Sequence, residues 1–376
     1  MRHSGAFGRT LAIRIWRYGP CHCVPKQSRP KAASRRERPQ RRPTIADVAH
    51  AAGVSPMTVS RVINRGAGVR EPMQRRVRQA IRRLGYVPNP SAQALAGERQ
   101  FRLVFLFDNP STFYLSELLL GLLETLAGQP HQLLVQRIPE QSRLADEIRA
   151  LGRRCEGVIV PPPLSDDPSV HGLLRRAGLP AVYLSGITPG DGGVSIGIDD
   201  YAAARMMTEH LLQLGHSRIG FIRGDPNQHC SGERYRGFCD ALREAGLAAA
   251  PHLVVQGHFT YESGRRAADQ LLGLRDRPTA IFASNDDMAA AAIAVAAARG
   301  HRVPADLSVA GFDDSPLARE IAPRLTTIRQ PLREMAEAAV SALVDLVAQS
   351  ATRTATGRRI VKSFVLQRRE STSKPR

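Results

Sequence analysis

Thr44-Ile45-Ala46-Asp47-Val48-Ala49-His50-Ala51-Ala52-Gly53-Val54-Ser55-Pro56-Met57-Thr58-Val59-Ser60-Arg61-Val62-Ile63 is the stretch on which the reading of this chain turns. Thr44 and Asp47 form a capping box with Asp in place of Glu, opening a helix that runs to Ala52. Gly53 ends it. Ser55 can cap a second helix, with Pro56 at its first position, where a missing N–H costs nothing. Ile45, Val48, Ala49, Val54, Val59, Val62 and Ile63 are spaced to share a small core. A third helix follows Pro72, with Met73, Val77, Ala80, Ile81 and Leu84 on one face, until Gly85 and Pro88 stop it. Two short helices, a tight turn and a supporting third helix predict an all-α helix-turn-helix headpiece over 44–88.

In that geometry the start of the second helix faces a DNA major groove, so Pro56, Met57 and Arg61 point outward. Arg61 can donate to guanine O6 and N7; a phosphate contact or a solvated surface arginine fits the residue equally well. Pro56 and Met57 offer no donor, which shifts discrimination toward Ser55, Thr58 and Arg61. Residues 89–100 read as a hinge or linker whose short Ala-rich segment holds one large apolar residue, Leu95. So short a segment is helical only when packed against a partner.

The charge distribution agrees with a DNA partner. Residues 1–43 hold 12 Lys/Arg and one acid, and residues 44–100 hold nine Arg and three acids, so nearly all of the net +19 lies in the first hundred positions. A basic end on a near-neutral body suits an anionic polymer, although a solubilising tail has the same composition. Residues 1–43 lack apolar periodicity and are expected to be a disordered basic extension, for which an upstream start codon is one origin. No run of 18 apolar residues predicts a membrane span. Five scattered cysteines (Cys21, Cys23, Cys155, Cys230, Cys239) fit reduced thiols and a cytoplasmic, nucleoid-associated protein. Cys21-His22-Cys23 lacks a second ligand pair, so no metal or cofactor is expected.

From Phe101 the pattern changes. Apolar strands at Leu103–Phe107, Gln132–Gln136, Gly157–Val160, Ala181–Leu184, Arg218–Ile222, Leu253–Gln256, Ala280–Ala283 and Leu307–Gly311 alternate with amphipathic helices. This predicts an α/β core over 101–370, of two doubly wound parallel-sheet lobes, with a ligand beyond the carboxyl ends of the strands and a tail at 371–376.

These blocks, taken in order, resemble the lactose/galactose repressor (LacI/GalR) family. The headpiece from Thr44 to Asn64 matches nearly throughout. So do Leu84–Asn89, Leu95-Ala96-Gly97, Leu214–Ile222, Arg234–Phe238, Ala283–Ala289, Val309–Asp314 and Leu325–Pro331, over roughly Thr44 to Phe364. The resemblance implies a homodimeric repressor with a periplasmic-binding-protein-like core, released from a palindromic operator by a sugar effector. It places Thr44, Ser60 and Asn64 beside Ser55, Pro56, Met57, Thr58 and Arg61 at the DNA. It makes Leu95 the hinge residue that wedges into the minor groove. It puts Arg234, Asn285, Asp313, Phe259, Asn109 and Phe113 around the effector.

Arginine, carboxylate and amide groups suit vicinal hydroxyls, and an aromatic face suits the C–H face of a sugar. Plainer readings remain for each: Asn285-Asp286 as a helix cap, Asp313-Asp314 as a turn, Phe259 as core. His216 reads as structural. The stretch from Val365 to Arg376 shows no leucine heptads that would join dimers. A periplasmic sugar-binding protein should carry a signal peptide and no helix-turn-helix. An enzyme on this scaffold should show a phosphate loop, a Gly-x-Ser-x-Gly elbow or a metal-spaced His pair, and none is present.

Overall fold

A computed structural model describes residues 43–63, 69–84, 86, 100–138, 143–185, 193–349 and 357–376. Asn64, Gly85, the hinge with Leu95 and nearly all of the basic extension lie outside them. The chain divides into two compact units, the first ending at Pro88.

The first unit is three helices: α1 (Ile45–Ala52), α2 (Pro56–Ile63) and α3 (Glu71–Leu84). The capping box forms as expected, with the Thr44 N–H donating to Asp47 Oδ2 at 2.7 Å and the Asp47 N–H donating to Thr44 Oγ1 at 3.4 Å. Gly53 closes α1 at φ +64°, where a side chain would be strained. An added Cβ would also lie 2.8 Å from Arg76, whose guanidinium reaches across from α3 to accept the role of cap on the Ala52 carbonyl, donating at 2.8 Å. Val48, Ala49, Val59, Val62, Val77 and Ala80 bury themselves between the helices, with Tyr86 below them.

The second unit has two six-stranded sheets. The first combines β1 (Arg102–Phe107), β2 (Gln132–Arg137), β3 (Gly157–Val160), β4 (Ala181–Leu184), β5 (Val194–Gly197) and β11 (Arg358–Val361), in the order β11-β5-β4-β3-β1-β2, all parallel. The second combines β6 (Ile219–Arg223), β7 (Val254–Gln256), β8 (Ala280–Ala283), β9 (Ser308–Asp313), β10 (Thr326–Arg329) and β12 (Val365–Gln367), in the order β12-β10-β9-β8-β6-β7. Only β12 runs antiparallel to its neighbour. Helices between the strands are α4 (Thr112–Leu126), α5 (Leu144–Leu151), α6 (Pro168–Arg176), α7 (Asp200–Gln213), α8 (His229–Glu244), α9 (Tyr261–Leu272), α10 (Asp286–Ala298), α11 (Pro316–Glu320) and α12 (Leu332–Gln349).

The alternation along β1 shows why the sheets are doubly covered. Leu103 and Phe105 pack with Leu118 and Leu122 of α4 and Met335 and Leu343 of α12. Val104 and Leu106 pack on the opposite face with Ile148 of α5 and Leu174 of α6. The chain crosses between lobes three times: after β5 into α7, after β10 into α12, and from β11 to β12.

The sequence reading finds eight of these strands and misses β5, β10, β11 and β12. It also misses α6, α11 and α12. Residues 371–376, expected as a tail, are packed structure. Ser371 is fully buried, its N–H donates to the Arg324 carbonyl at 3.1 Å, and its own carbonyl accepts from Val309 at 2.8 Å.

Candidate functional site

Within the headpiece, the N-terminal end of α2 presents an open face. Ser55, Pro56, Met57 and Arg61 are exposed, Met57 at 66%, while Thr58 and Ser60 are half-buried. The Thr58 N–H donates to Ser55 Oγ at 3.2 Å, so Ser55 caps the helix while remaining at the surface. Thr44 is half-buried in its capping box.

Between the lobes of the second unit lies a cavity of about 360 Å³ including its mouth. Asn109, Ser111, Tyr114, Pro162 and Ser185 line it from the first lobe; Gln228, Cys230, Arg234, Phe259, Asn285 and Asp313 from the second; and Gln330 from a crossover. Most of these follow the carboxyl ends of parallel strands, the end at which such sheets bind ligands. Ser185, Phe259 and Asp313 have φ of +52°, +57° and +122°, three of the four non-glycine residues with positive φ among those described. Strain of this kind persists where the surroundings impose it and concentrates at functional sites.

Five of the six residues expected around a ligand converge here: Asn109, Arg234, Phe259, Asn285 and Asp313. Phe113 does not. It sits one residue before Tyr114 on α4, and about 100° of helical rotation turns it away, into core packing and an adjoining groove with Glu117 and Arg333 that shares Asp313 and Gln330 with the cavity. Tyr114 takes the cavity position, its hydroxyl 2.9 Å from Ser185 Oγ.

Each polar group has an identifiable support. Arg234, 4% exposed, donates from Nε to Asp200 Oδ1 at 2.8 Å and from Nη1 to the Ser284 carbonyl at 2.6 Å, while its guanidinium lies 3.5 Å over the Phe312 ring. Asn285 combines two roles: its Oδ1 accepts the Met288 N–H at 3.0 Å, capping α10, and its Nδ2 donates to the Phe259 carbonyl at 3.0 Å. The helix-cap reading therefore holds for Asn285. Asp286 accepts instead from the Ser315 N–H at 2.7 Å and Thr327 Oγ1 at 2.6 Å.

Asp313 accepts from Gln330 Nε2 at 2.7 Å. Burial holds the Asp313 carboxyl well above the usual range despite nearby Arg234, and burial pushes Asp286 up to about 7. The Phe259 ring rests against Gly224, where an added Cβ would lie 2.0 Å from it. Asn109 donates to the Pro162 carbonyl at 2.7 Å and accepts from the Ser111 N–H at 2.8 Å, fixing its loop.

The resemblance places the loop Asp108–Tyr114 at the effector without singling out Ser111 or Tyr114; Pro162, Ser185, Gln228, Cys230, Gln330 and the supporting Asp200 were missed. Gln330 stood inside a family-like block and was open to assignment; the others come from helix starts and loops whose meeting depends on how the lobes approach. Among the described residues no cluster of His, Cys, Asp and Glu is placed to hold a metal, and no helix is long and apolar enough to cross a membrane.

Comparison with known proteins agrees with both units. Residues 44–89 match the model of bacterial regulatory proteins of the lacI family, and residues 208–372 match a periplasmic binding protein-like domain. The HTH-type transcriptional regulator DegA of Bacillus subtilis is 35% identical over 296 residues, 78% of this chain and 88% of that protein. The HTH-type transcriptional regulator CelR of Thermobifida fusca is 35% identical over 324 residues, 83% of this chain and 94% of that protein. Among solved structures, a CelR–cellobiose complex aligns with a TM-score of 0.67 at 31% identity, covering 88% of this chain and 100% of that one. The lac repressor dimer bound to operator and the anti-inducer ONPF aligns with a TM-score of 0.71 at 27% identity, covering 89% and 100%. A helix-turn-helix headpiece, a two-lobed core and relatives that match along most of their length together establish that this chain belongs to the lacI family of DNA-binding transcriptional regulators.

Proposed function

We propose that this protein is a homodimeric repressor that holds a palindromic operator and is released from it when a sugar occupies the cavity between the lobes. The observation that carries the reading is the convergence of Arg234, Asn285, Asp313 and Phe259 on one cavity: a guanidinium, an amide and a carboxyl to meet hydroxyls, and an aromatic ring for a C–H face. Ser55, Pro56, Met57, Thr58, Ser60 and Arg61, with Thr44, Asn64 and Leu95, form the DNA contact in this reading. The lac repressor structure with operator and anti-inducer and the CelR structure with cellobiose are relatives for which both halves of the proposal have a counterpart.

The dimer has its own support. Leu120 and Leu123 on α4 are 43% and 49% exposed, and Leu134 and Val135 on the edge strand β2 are 42% and 50% exposed. An apolar sheet edge left open is an aggregation hazard, and a second copy is the simplest cover. The opposite edge, β11, carries exposed Arg358 and Arg359 beside Val361, which is 55% exposed.

Arg234→Ala tests the sensing site. Charge-assisted hydrogen bonds of the kind Arg234 offers are worth roughly 1.5–3 kcal/mol, so sugar affinity should fall about 10- to 150-fold, measured by calorimetry on the full chain. Unchanged affinity in a folded variant would place the sugar elsewhere.

A further inference from the structure

Charge bookkeeping in the cavity goes one step further than the sugar-sensing reading, on which it rests. Among the described residues that line the cavity, Arg234 is the one cation and Asp313 the one carboxylate. Arg234 is already neutralised from behind. Asp200, the first residue of α7 and itself 8% exposed, accepts from Nε at 2.8 Å and lies 2.8 Å from Nη2. Burial works against a charged Arg234, and Asp200 is the first group that offsets it. Counted together, Arg234, its partner Asp200 and Asp313 are near zero when Asp313 is protonated and negative when it is ionised; Arg234 and Asp313 alone would be net positive in the first case, so Asp200 decides the sign.

The N-terminus of a helix binds anions through free N–H groups and the macrodipole. At the helix starts around the cavity, one N–H each is already taken by an acceptor of the chain itself. The Tyr114 N–H donates to Ser111 Oγ at 3.4 Å at the start of α4, the His229 N–H to Asp166 Oδ2 at 2.9 Å at the start of α8, and the Met288 N–H to Asn285 Oδ1 at 3.0 Å at the start of α10. After burial itself, and against the opposing pull of Arg234, the carboxylates Asp200, Asp166 and Asp313 all push the Cys230 thiol up. Asp200 and Asp313 push the Tyr114 phenol the same way, behind burial and a lowering hydrogen bond from Ser185.

We infer that the cavity selects an uncharged sugar and rejects its phosphate ester or uronic acid, and that Asp200 sets this selectivity by cancelling Arg234. A phosphate drawn into this space would lose its hydration and find no uncommitted cation among the described lining residues, whereas hydroxyls can share Arg234 and Asp313 without adding charge. Asp200 is thus a specificity-determining residue that never touches the ligand.

The test is calorimetric titration of the full chain at fixed ionic strength. The panel pairs neutral mono- and disaccharides with the corresponding sugar phosphates and uronates, and is run on the wild type and on Asp200→Asn. For any sugar that binds, the neutral form should bind about 100-fold more tightly than its charged counterpart. An ester or uronate that binds as tightly as its neutral parent overturns the inference and leaves sugar sensing intact. If no member of the panel binds in either charge state, the sugar-sensing reading falls, and this inference with it. Asp200→Asn keeps the side-chain shape and removes the charge, so the neutral-to-charged ratio should narrow by about tenfold or more. An unchanged ratio in the folded variant overturns the role of Asp200. Should that variant fail to fold, the wild-type ratio still decides the ligand class.

Discussion

His216 shows how a single residue in this chain is read correctly for its role and only afterwards understood. It was expected to be structural, and it is: one ring nitrogen lies 2.9 Å from Thr279 Oγ1, and the other 3.0 Å from Ser308 Oγ and 2.9 Å from the Ser373 carbonyl. It ties the last residues of the chain to β8 and β9. Burial lowers its pKa, with the Ser373 carbonyl opposing. A base that is harder to protonate when folded is protonated first in the unfolded chain. Its contribution is intact above the ordinary histidine range, near pH 6.5, and is lost as pH falls below it. Thermal unfolding at pH 7.5 and 5.5 should therefore show a larger loss for wild type than for His216→Gln. The comparison has to be between the two proteins, because Asp286, pushed up to about 7 by burial, contributes in the opposite direction over the same window. An equal loss in both would show that His216 does not govern the acid side.

The same scale shows what the sequence could reveal of the cavity. Asn285 and Asp313 were legible because the family resemblance placed them at the effector and each follows a candidate strand, and strand ends of a parallel sheet share one edge. Asp200 was hidden because β5, four residues ending in glycine, did not stand out as the strand preceding α7. Phe113 and Tyr114 are neighbours of similar chemistry, and choosing between them required the phase of α4.

Among the elements, α1 was read most completely, because its whole specification is local. The capping box, the apolar positions facing the other helices and the glycine that ends it all lie within ten residues. Thr44→Ala removes one acceptor from the first turn and should cost about 1 kcal/mol, which is roughly fivefold in local opening. Hydrogen exchange on the full chain should show faster exchange across α1, with the two-lobed core unaffected. Protection unchanged in α1 would mean that the Thr44–Asp47 pair adds nothing to the helix. Elements such as α12 were illegible for the opposite reason. Its eighteen residues cross back from the second lobe to cover β3, β4 and β5, and that destination is a property of topology.

At the scale of the molecule, three crossovers between lobes make their relative angle a degree of freedom, and a ligand that contacts both lobes biases it. In a dimer that angle is shared with the partner. Leu123→Arg, placed in the middle of the exposed apolar face of α4, should raise the dimer dissociation constant by about 100-fold or more by analytical ultracentrifugation, and weaken binding to a palindrome more than to a half-site. A dimer of wild-type strength would move the interface off α4 and β2.

The central claim is that one sugar site and one DNA site are coupled through this fold. Because linkage is reciprocal, a sugar that weakens operator binding must itself bind more weakly, by the same factor, to the operator complex. The most direct measurement is calorimetric titration of the activating sugar into the protein with and without a palindromic operator duplex, alongside operator affinity with and without the sugar. The account predicts two equal ratios, in the range of about 5- to 150-fold. Sugar affinity that is indifferent to the operator, or operator affinity that is indifferent to every sugar that binds, would contradict it.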